Sequence, residues 1–306
     1  MRPVNLVIIA VTMLVIRFVL IVNHLKWEPA VKGLTLPLTV FVASVFVMVL
    51  LAASGNIIND YFDQKVDRIN KPDRVIIGRH VKRRVAIILH HALNILAVGL
   101  TAYICSAMNY WWPVIIPVVM ATLLWFYSPV FKKQPFIGNF VVALCVAVVP
   151  FWASWFEISA LNVAYSDGLF APVYFFNQLW YRIIAYCGFA FLITLAREAV
   201  KDLEDLEGDR AEGFKTLPVV WGAVRTSRYA SMMIAVSVLA VAFFAAQLYI
   251  HGQYGKEFLA ASAALIVILG YTAAIVARSE QKNQYTRASK WLKFSMACGI
   301  AYLFFI

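Results

Sequence analysis

The run Asn56-Ile57-Ile58-Asn59-Asp60-Tyr61-Phe62-Asp63-Gln64-Lys65-Val66-Asp67-Arg68 follows directly on an apolar stretch long enough to cross a membrane. Asp60, Asp63 and Asp67 are spaced i, i+3, i+7. At about 100° per residue, a helix continued through the run puts all three within roughly 60° of arc, and Asn56 falls in the same sector. Three carboxylates on one narrow face repel one another unless a cation sits among them. The same spacing returns at Asp202, Asp205 and Asp209, each 142 residues after its counterpart. The offset also pairs Arg68 with Arg210, and it puts Glu198 at the place of Asn56, on the face of Asp202. One acidic stripe at a helix end reads most simply as a solvated cap. Two with identical spacing, each closing an apolar run, read as a site.

Working outward, the chain is 62% hydrophobic and 14% charged over 306 residues, against about 45–50% and 25% in soluble domains. That composition predicts a single integral-membrane domain over residues 1–306. Nine apolar segments, 4–23, 35–55, 83–105, 111–128, 137–156, 178–197, 228–249, 257–277 and 288–306, each approach the roughly 20 residues of a spanning helix. The expected fold is an all-α membrane protein, about nine transmembrane helices in a bundle. The matched aspartate runs suggest two pseudo-repeated halves, roughly 1–135 and 136–306.

The net charge of +11 would suit nucleic acid, but its distribution points elsewhere. With the N-terminus cytoplasmic, Lys26, Lys32, Arg182 and Lys256 fall outside and Arg17 falls within the first span. The other 22 of the 27 Lys and Arg residues fall inside. The basic charge is a topology signal, and no nucleic-acid partner is expected. Both aspartate runs land on the cytoplasmic side. Met1-Arg2-Pro3 leads into apolar sequence without a small-residue cleavage site, so no cleavable signal is expected. Cys105, Cys145, Cys187 and Cys298 show no paired spacing and read as buried small hydrophobes.

Six carboxylates from two helix ends, ringed by Lys and Arg, suit hard cations together with an anion. Mg2+ takes one or two carboxylates and completes its shell with phosphate oxygens. A diphosphate bridged by Mg2+ fits this pattern, with acids holding metal and bases holding phosphate. An EF-hand is disfavoured, because neither run supplies both the sixth-position glycine and the twelfth-position glutamate. Zinc is disfavoured because only the isolated His80 lies near. A diphosphate at the mouth of an apolar bundle implies a lipid tail. The 15% aromatic content offers faces for a polyprenyl chain or an allylic cation, although most of these rings read as lipid-facing packing.

Asn56-x3-Asp60-x2-Asp63-x3-Asp67-Arg68-Ile69-Asn70-Lys71-Pro72-Asp73-Arg74, the later Lys201-Asp202-Leu203-Glu204-Asp205-Leu206-Glu207-Gly208-Asp209-Arg210, Lys215-Thr216-Leu217-Pro218, and the Tyr127-x4-Lys132 element together resemble the UbiA-type membrane prenyltransferases. Within that superfamily the second run looks most like the archaeal-type ether-lipid enzymes, which transfer geranylgeranyl to geranylgeranylglyceryl phosphate. The resemblance implies a polyprenyl diphosphate donor, a lipophilic acceptor and Mg2+ as cofactor, in a multi-pass protein of a bacterial or archaeal cytoplasmic (cell inner) membrane. It implies that Asn56, Asp60, Asp63 and Asp67 hold one Mg2+ and Asp202, Asp205 and Asp209 another. Arg68, Arg74, Lys132, Lys201 and Lys215 would bind diphosphate. Asp60, Asp63, Asp205, Asp209 and Tyr127 would be the catalytic set, Tyr127 by stabilising the cation or orienting phosphate. Arg74 and Arg79 would serve a phosphate-bearing acceptor, and Glu198 is a possible extra ligand. The chain departs from the family at Val75-Ile76-Ile77-Gly78-Arg79, where a Pro-rich turn is usual. A less rigid turn with an added cation is expected there.

Outside these runs, Arg17 is an intramembrane charge, either functional or snorkelling outward. His90 and His91 read as core residues. Glu157 reads as an interfacial charge, and the aromatic stretch 157–177 as an outer loop at the membrane interface. Two rival readings stay open. One is a transporter of a cation or phosphate-bearing lipid, and the other is the same chemistry on an aromatic acceptor.

Overall fold

The computed structural model describes residues 3–27, 31–70, 75–165, 172–250 and 254–306. Each of the nine apolar segments forms a helix. These are α1 (Pro3–Leu25), α2 (Leu38–Phe62), α4 (Arg83–Ala107), α5 (Ile115–Tyr127), α6 (Ile137–Ala164), α7 (Pro172–Glu204), α10 (Ala223–Ile250), α11 (Lys256–Ala277) and α12 (Lys282–Tyr302). Three short helices, α3 (Gln64–Asn70), α8 (Leu206–Ala211) and α9 (Leu217–Trp221), follow α2 and α7. Seven of the nine are long and apolar enough to cross a membrane. The exceptions have separate causes. α5 is only 13 residues long, and α12 carries Lys282, Arg287, Lys290 and Lys293 along its first half.

α2 packs on α4 and α5; α7 packs on α6, α10 and α12; α11 joins α10 and α12; and α1 closes against α2 and α6. The interior is large and apolar, with Trp152, Phe41, Phe156, Phe176, Met13 and Leu51 fully buried. Trp152 also donates its indole N–H to the Ser44 carbonyl at 3.1 Å, which fixes α6 against α2. Many Val, Ile, Leu and Phe side chains face outward, among them Val7, Ile95, Leu239, Phe243 and Val267. An apolar coat of this kind suits lipid as solvent. All four cysteines are free, as expected, but only Cys105 and Cys145 are buried.

The end of the bundle away from the aspartate runs departs most from expectation. α6 does not stop at 156 but continues to Ala164, which draws Glu157 inside the helix and fully into the core. Glu157 is therefore a buried partner of Arg17 and not an interfacial charge. Arg17 Nε lies 3.1 Å from Glu157 Oε2. Arg17 also donates to the Leu36 carbonyl and lies 4.4 Å from the Phe41 ring centre. The second carboxylate oxygen of Glu157 accepts the backbone N–H groups of Thr35 at 2.9 Å and Leu36 at 3.1 Å. Arg17 therefore neither snorkels nor approaches the aspartates. It sits in a π-helical turn, Ile16–Ile21, within α1. Of the expected outer loop, α7 takes residues from Pro172 and Phe176 is core, while Phe170 lies outside the described residues.

His90 is core, as expected. Its Nδ1–H donates to the Ser54 carbonyl at 3.0 Å and its Nε2 accepts from Asn94 at 3.0 Å, a fully satisfied neutral ring. His91 is exposed and lies beside Trp125, with ring centres 5.0 Å apart. It is not a core residue, because it is one position round the helix from His90.

A buried charge left alone is costly. Glu157→Ala should lower stability by about 3–5 kcal/mol, measured by thermal or denaturant unfolding in detergent. Arg17→Met with Glu157→Leu should recover most of that loss, because neither variant position then holds an unpaired charge.

Candidate active site

A single continuous acidic face was expected at each aspartate run. Instead each helix breaks at its middle aspartate. α2 ends at Phe62, and Asp63 adopts φ −80°, ψ 1° before α3 begins. α7 ends at Glu204, and Asp205 adopts φ −97°, ψ 3° before α8 begins. The backbone bonds match as well. Asp63 N–H donates to Asn59 C=O at 2.9 Å, and Asp63 C=O accepts Asp67 N–H at 2.8 Å. At the second run Asp205 N–H donates to Lys201 C=O, and Asp205 C=O accepts Asp209 N–H, both at 3.0 Å. Aspartate is a weak helix former that tolerates this sparsely populated region. α3 and α8 pack against each other, which brings the two runs together.

The connection from α5 to α6 threads between them. A 3-10 turn at Phe131–Lys133 presents Lys132, whose ammonium donates to Asp63 Oδ2 in a nearly buried ion pair. Gly138 makes this path possible, since a Cβ there would sit 3.0 Å from Lys132 Cα and from the Phe131 carbonyl oxygen. The Lys133 carbonyl accepts Lys215 N–H at 3.0 Å, tying the turn to the Lys-Thr-Leu-Pro run. That run opens α9, with extended Thr216 as its cap and Pro218 in the first turn. At the start of α6, Asn139 donates to Asp202 Oδ2 at 3.0 Å.

Asn59 Nδ2 donates to Asp63 Oδ2 at 2.7 Å, and Ser128 donates to Asn59 Oδ1 at 3.3 Å. The asparagine that holds this carboxylate is thus Asn59 and not Asn56, which lies half-buried about a turn earlier. The spacing Asn59-x3-Asp63-x3-Asp67 also shares a face and would have picked it out. Asn139 and Ser128 carried no such signal, because their role depends on a long-range approach.

The electrostatics show that the two runs act on each other. Burial pushes Asp67 up, and Asp63, Asp205 and Asp60 add to the shift against Lys132. Burial also raises Asp209 to about 6, where Lys132 opposes the shift and Asp205 and Asp63 add to it. Burial works against a charged Lys132, but Asp63, Asp209 and Asp205 outweigh it and hold Lys132 above its ordinary value. Asp209 Oδ1 is buried without a hydrogen bond.

Other expected residues are placed differently. Lys201 Nζ bonds Glu198 Oε2 at 3.0 Å, and Arg197 bonds the other oxygen at 2.7 Å, so Glu198 is neutralised by neighbouring cations. Tyr127 is buried in the core. Arg68, Arg79 and Lys215 are exposed at the same end, and Arg74 lies outside the described residues. The Val75–Arg79 stretch is no loose turn. Ile76 C=O accepts the N–H groups of Arg79, His80 and Val81, and Gly78 turns at φ 86°.

The sequence model of the UbiA prenyltransferase family matches residues 29–297. The chain belongs to the UbiA prenyltransferase family. It is an integral, multi-pass membrane protein. Its relatives include the digeranylgeranylglyceryl phosphate synthases of Thermococcus kodakarensis, 32% identical over 84% of this chain and 82% of that protein, and of Natronomonas pharaonis, 34% identical over 89% and 86%. A solved digeranylgeranylglyceryl phosphate synthase structure shares the fold, with a TM-score of 0.63 at 23% identity over 98% of both chains. So does a UbiA homolog from Archaeoglobus fulgidus bound to DMAPP and Mg2+, with a TM-score of 0.55 at 16% identity over 99% of this chain and 96% of that one.

The oxygen-only donor set of this UbiA-family site fits a hard cation, and the orphaned Asp209 oxygen has the character of a ligand awaiting one. Among the described residues no three acidic, His or Cys side chains approach closely enough to hold one ion. Asp63, Asp67, Asp205 and Asp209 lie within the field of Lys132.

Asp209 is raised from 3.8 to about 6, so its contribution to stability in metal-free protein is full below about pH 3.8 and is lost as pH rises through about 6. Asp209→Asn mimics the protonated form. In EDTA its stability should match wild type near pH 4 and exceed it by up to about 3 kcal/mol above pH 7, read from unfolding midpoints across pH.

Proposed function

We propose that this protein transfers a geranylgeranyl group from its diphosphate to geranylgeranylglyceryl phosphate, at the cytoplasmic face of a bundle whose nine helices all cross the membrane. The observation that carries the reading is the meeting of two matched aspartate runs, through packed α3 and α8, around Lys132. The names of its relatives over most of the chain support the acceptor, and the DMAPP and Mg2+ held by a homolog of the same fold support the donor and cofactor. The concentration of Lys and Arg at the aspartate end supports a cytoplasmic site.

Asp60, Asp63 and Asp67 from one run, and Asp202, Asp205 and Asp209 from the other, would hold Mg2+, with Asn59 fixing Asp63 in place. Mg2+, when bound, neutralises the diphosphate and makes it a better leaving group. Lys132 and the exposed Arg68 and Lys215 bind phosphate oxygens, and Arg74 joins them. As the allylic C–O bond breaks, diphosphate departs with the electron pair. The acceptor hydroxyl attacks the carbon, and its proton leaves to the acidic cluster or to diphosphate. Buried Tyr127 presents a ring and a hydroxyl beside Ser128, at the same end of α5. The exposed Arg79 supplies charge for the acceptor phosphate. An acidic cluster at one end of the bundle favours this chemistry over transport, which uses midplane sites.

Asp60→Ala and Asp205→Ala should each reduce radiolabelled prenyl transfer by about 1,000-fold or more while the proteins still insert and purify as single species. Near-normal turnover in both would refute the assignment of the aspartates. Geranylgeranyl diphosphate offered with a panel of glyceryl-phosphate and aromatic acceptors should give only the bis-geranylgeranyl glyceryl phosphate by mass. An aromatic product would move the protein to the quinone-type reaction, and flux without transfer in proteoliposomes would make it a transporter.

A further inference from the structure

The same reading, of Mg2+ and diphosphate at this site, leads to a role for Lys132 beyond binding phosphate. The Lys132 backbone has little freedom. Gly138 lets α6 pass within contact of it, and the neighbouring Lys133 carbonyl is bonded to Lys215. The Lys132 side chain reaches in from this fixed point to Asp63. It is about a tenth exposed and Asp63 less than that, so neither charge is left to water. Asp63 Oδ2 is shared between Lys132 and Asn59. Across the gap, Asp209 keeps a buried carboxylate oxygen with no hydrogen bond. Among the described residues no three acids converge on one point. An ammonium stands among the carboxylates where a divalent ion would have to bind.

We infer that Lys132 is a resident counter-ion. It holds the place of the metal in the substrate-free enzyme and passes from Asp63 to the diphosphate when substrate arrives. A divalent cation brought within about 4–5 Å of a fixed ammonium is repelled strongly enough, at an effective dielectric of about 20, to weaken its binding by roughly 100-fold or more. Diphosphate removes that repulsion by giving Lys132 a better anion and by bridging the metal. Metal and donor therefore enter together, and the site does not load Mg2+ on its own. Lys132 thereby sets the order of binding in addition to touching the substrate.

The test is metal binding in the absence of substrate, followed by Mn2+ titration under electron paramagnetic resonance and by the Mg2+-induced shift in thermal midpoint, on full-length protein in detergent. Wild type should bind Mn2+ weakly alone and should gain thermal stability from Mg2+ only when geranylgeranyl diphosphate is present. Lys132→Met and Lys132→Gln should bind Mn2+ alone about 100-fold more tightly and be stabilised by Mg2+ without diphosphate. Lys132→Arg keeps the cation and should behave as wild type. Equal metal affinity in wild type and Lys132→Met, with wild type still stabilised by Mg2+ plus diphosphate, overturns the counter-ion role and leaves the function standing. If Mg2+ plus diphosphate has no effect on wild type, the Mg2+–diphosphate reading itself falls, and the inference with it.

Discussion

Carboxylates gathered from two helix ends push one another apart, and the aspartate end of this bundle is arranged around that repulsion. Lys132 reaches between the runs and bonds Asp63, while Asp205 and Asp209 lie within its field. Its position in turn depends on close backbone packing at Gly138 and on the hydrogen bond from Lys215 to the next carbonyl. The strength of such pairs comes from partial burial, which removes competing water and also makes each unpaired charge expensive. A substrate that brings both phosphate and metal satisfies both signs of charge at once.

The far end of the bundle meets a similar problem by a different route. Arg17 and Glu157 are isolated from water; Glu157 Oε1 accepts the Thr35 and Leu36 N–H groups and Arg17 Nη2 donates to the Leu36 carbonyl, just before α2. The pair therefore fixes where α2 begins, and α2 is the helix that leads to Asp63. One buried pair sets the start of that helix, and the pair made by Lys132 holds the residue just past its end. Between them α2 is locked to α6 by the Trp152 hydrogen bond and to α4 by the Ser54, His90 and Asn94 network.

The pattern of apolar segments was legible because lipid imposes a simple rule: every spanning segment must be helical and apolar. The offset between the two aspartate runs was legible because it is a one-dimensional repeat. The Arg17–Glu157 pair was not, since the partners are far apart in sequence, Glu157 alone resembles a routine interfacial charge, and Arg17 alone could equally snorkel outward. Asn59 was passed over because the i, i+3, i+7 spacing assumes one straight helix and draws the eye to Asn56. Once the helix breaks at Asp63, the residue one turn before the break is the one within reach. Asn139 and Ser128 reach the site through tertiary packing, which no local spacing encodes.

The broken helices also explain why the two runs need three acids each and not a compact pair. A straight helix would project its stripe along a single line, and two such helices would meet at one level only. With a break at the second acid, the first belongs to the long helix, the second sits at the bend, and the third rides on a short helix directed at its counterpart.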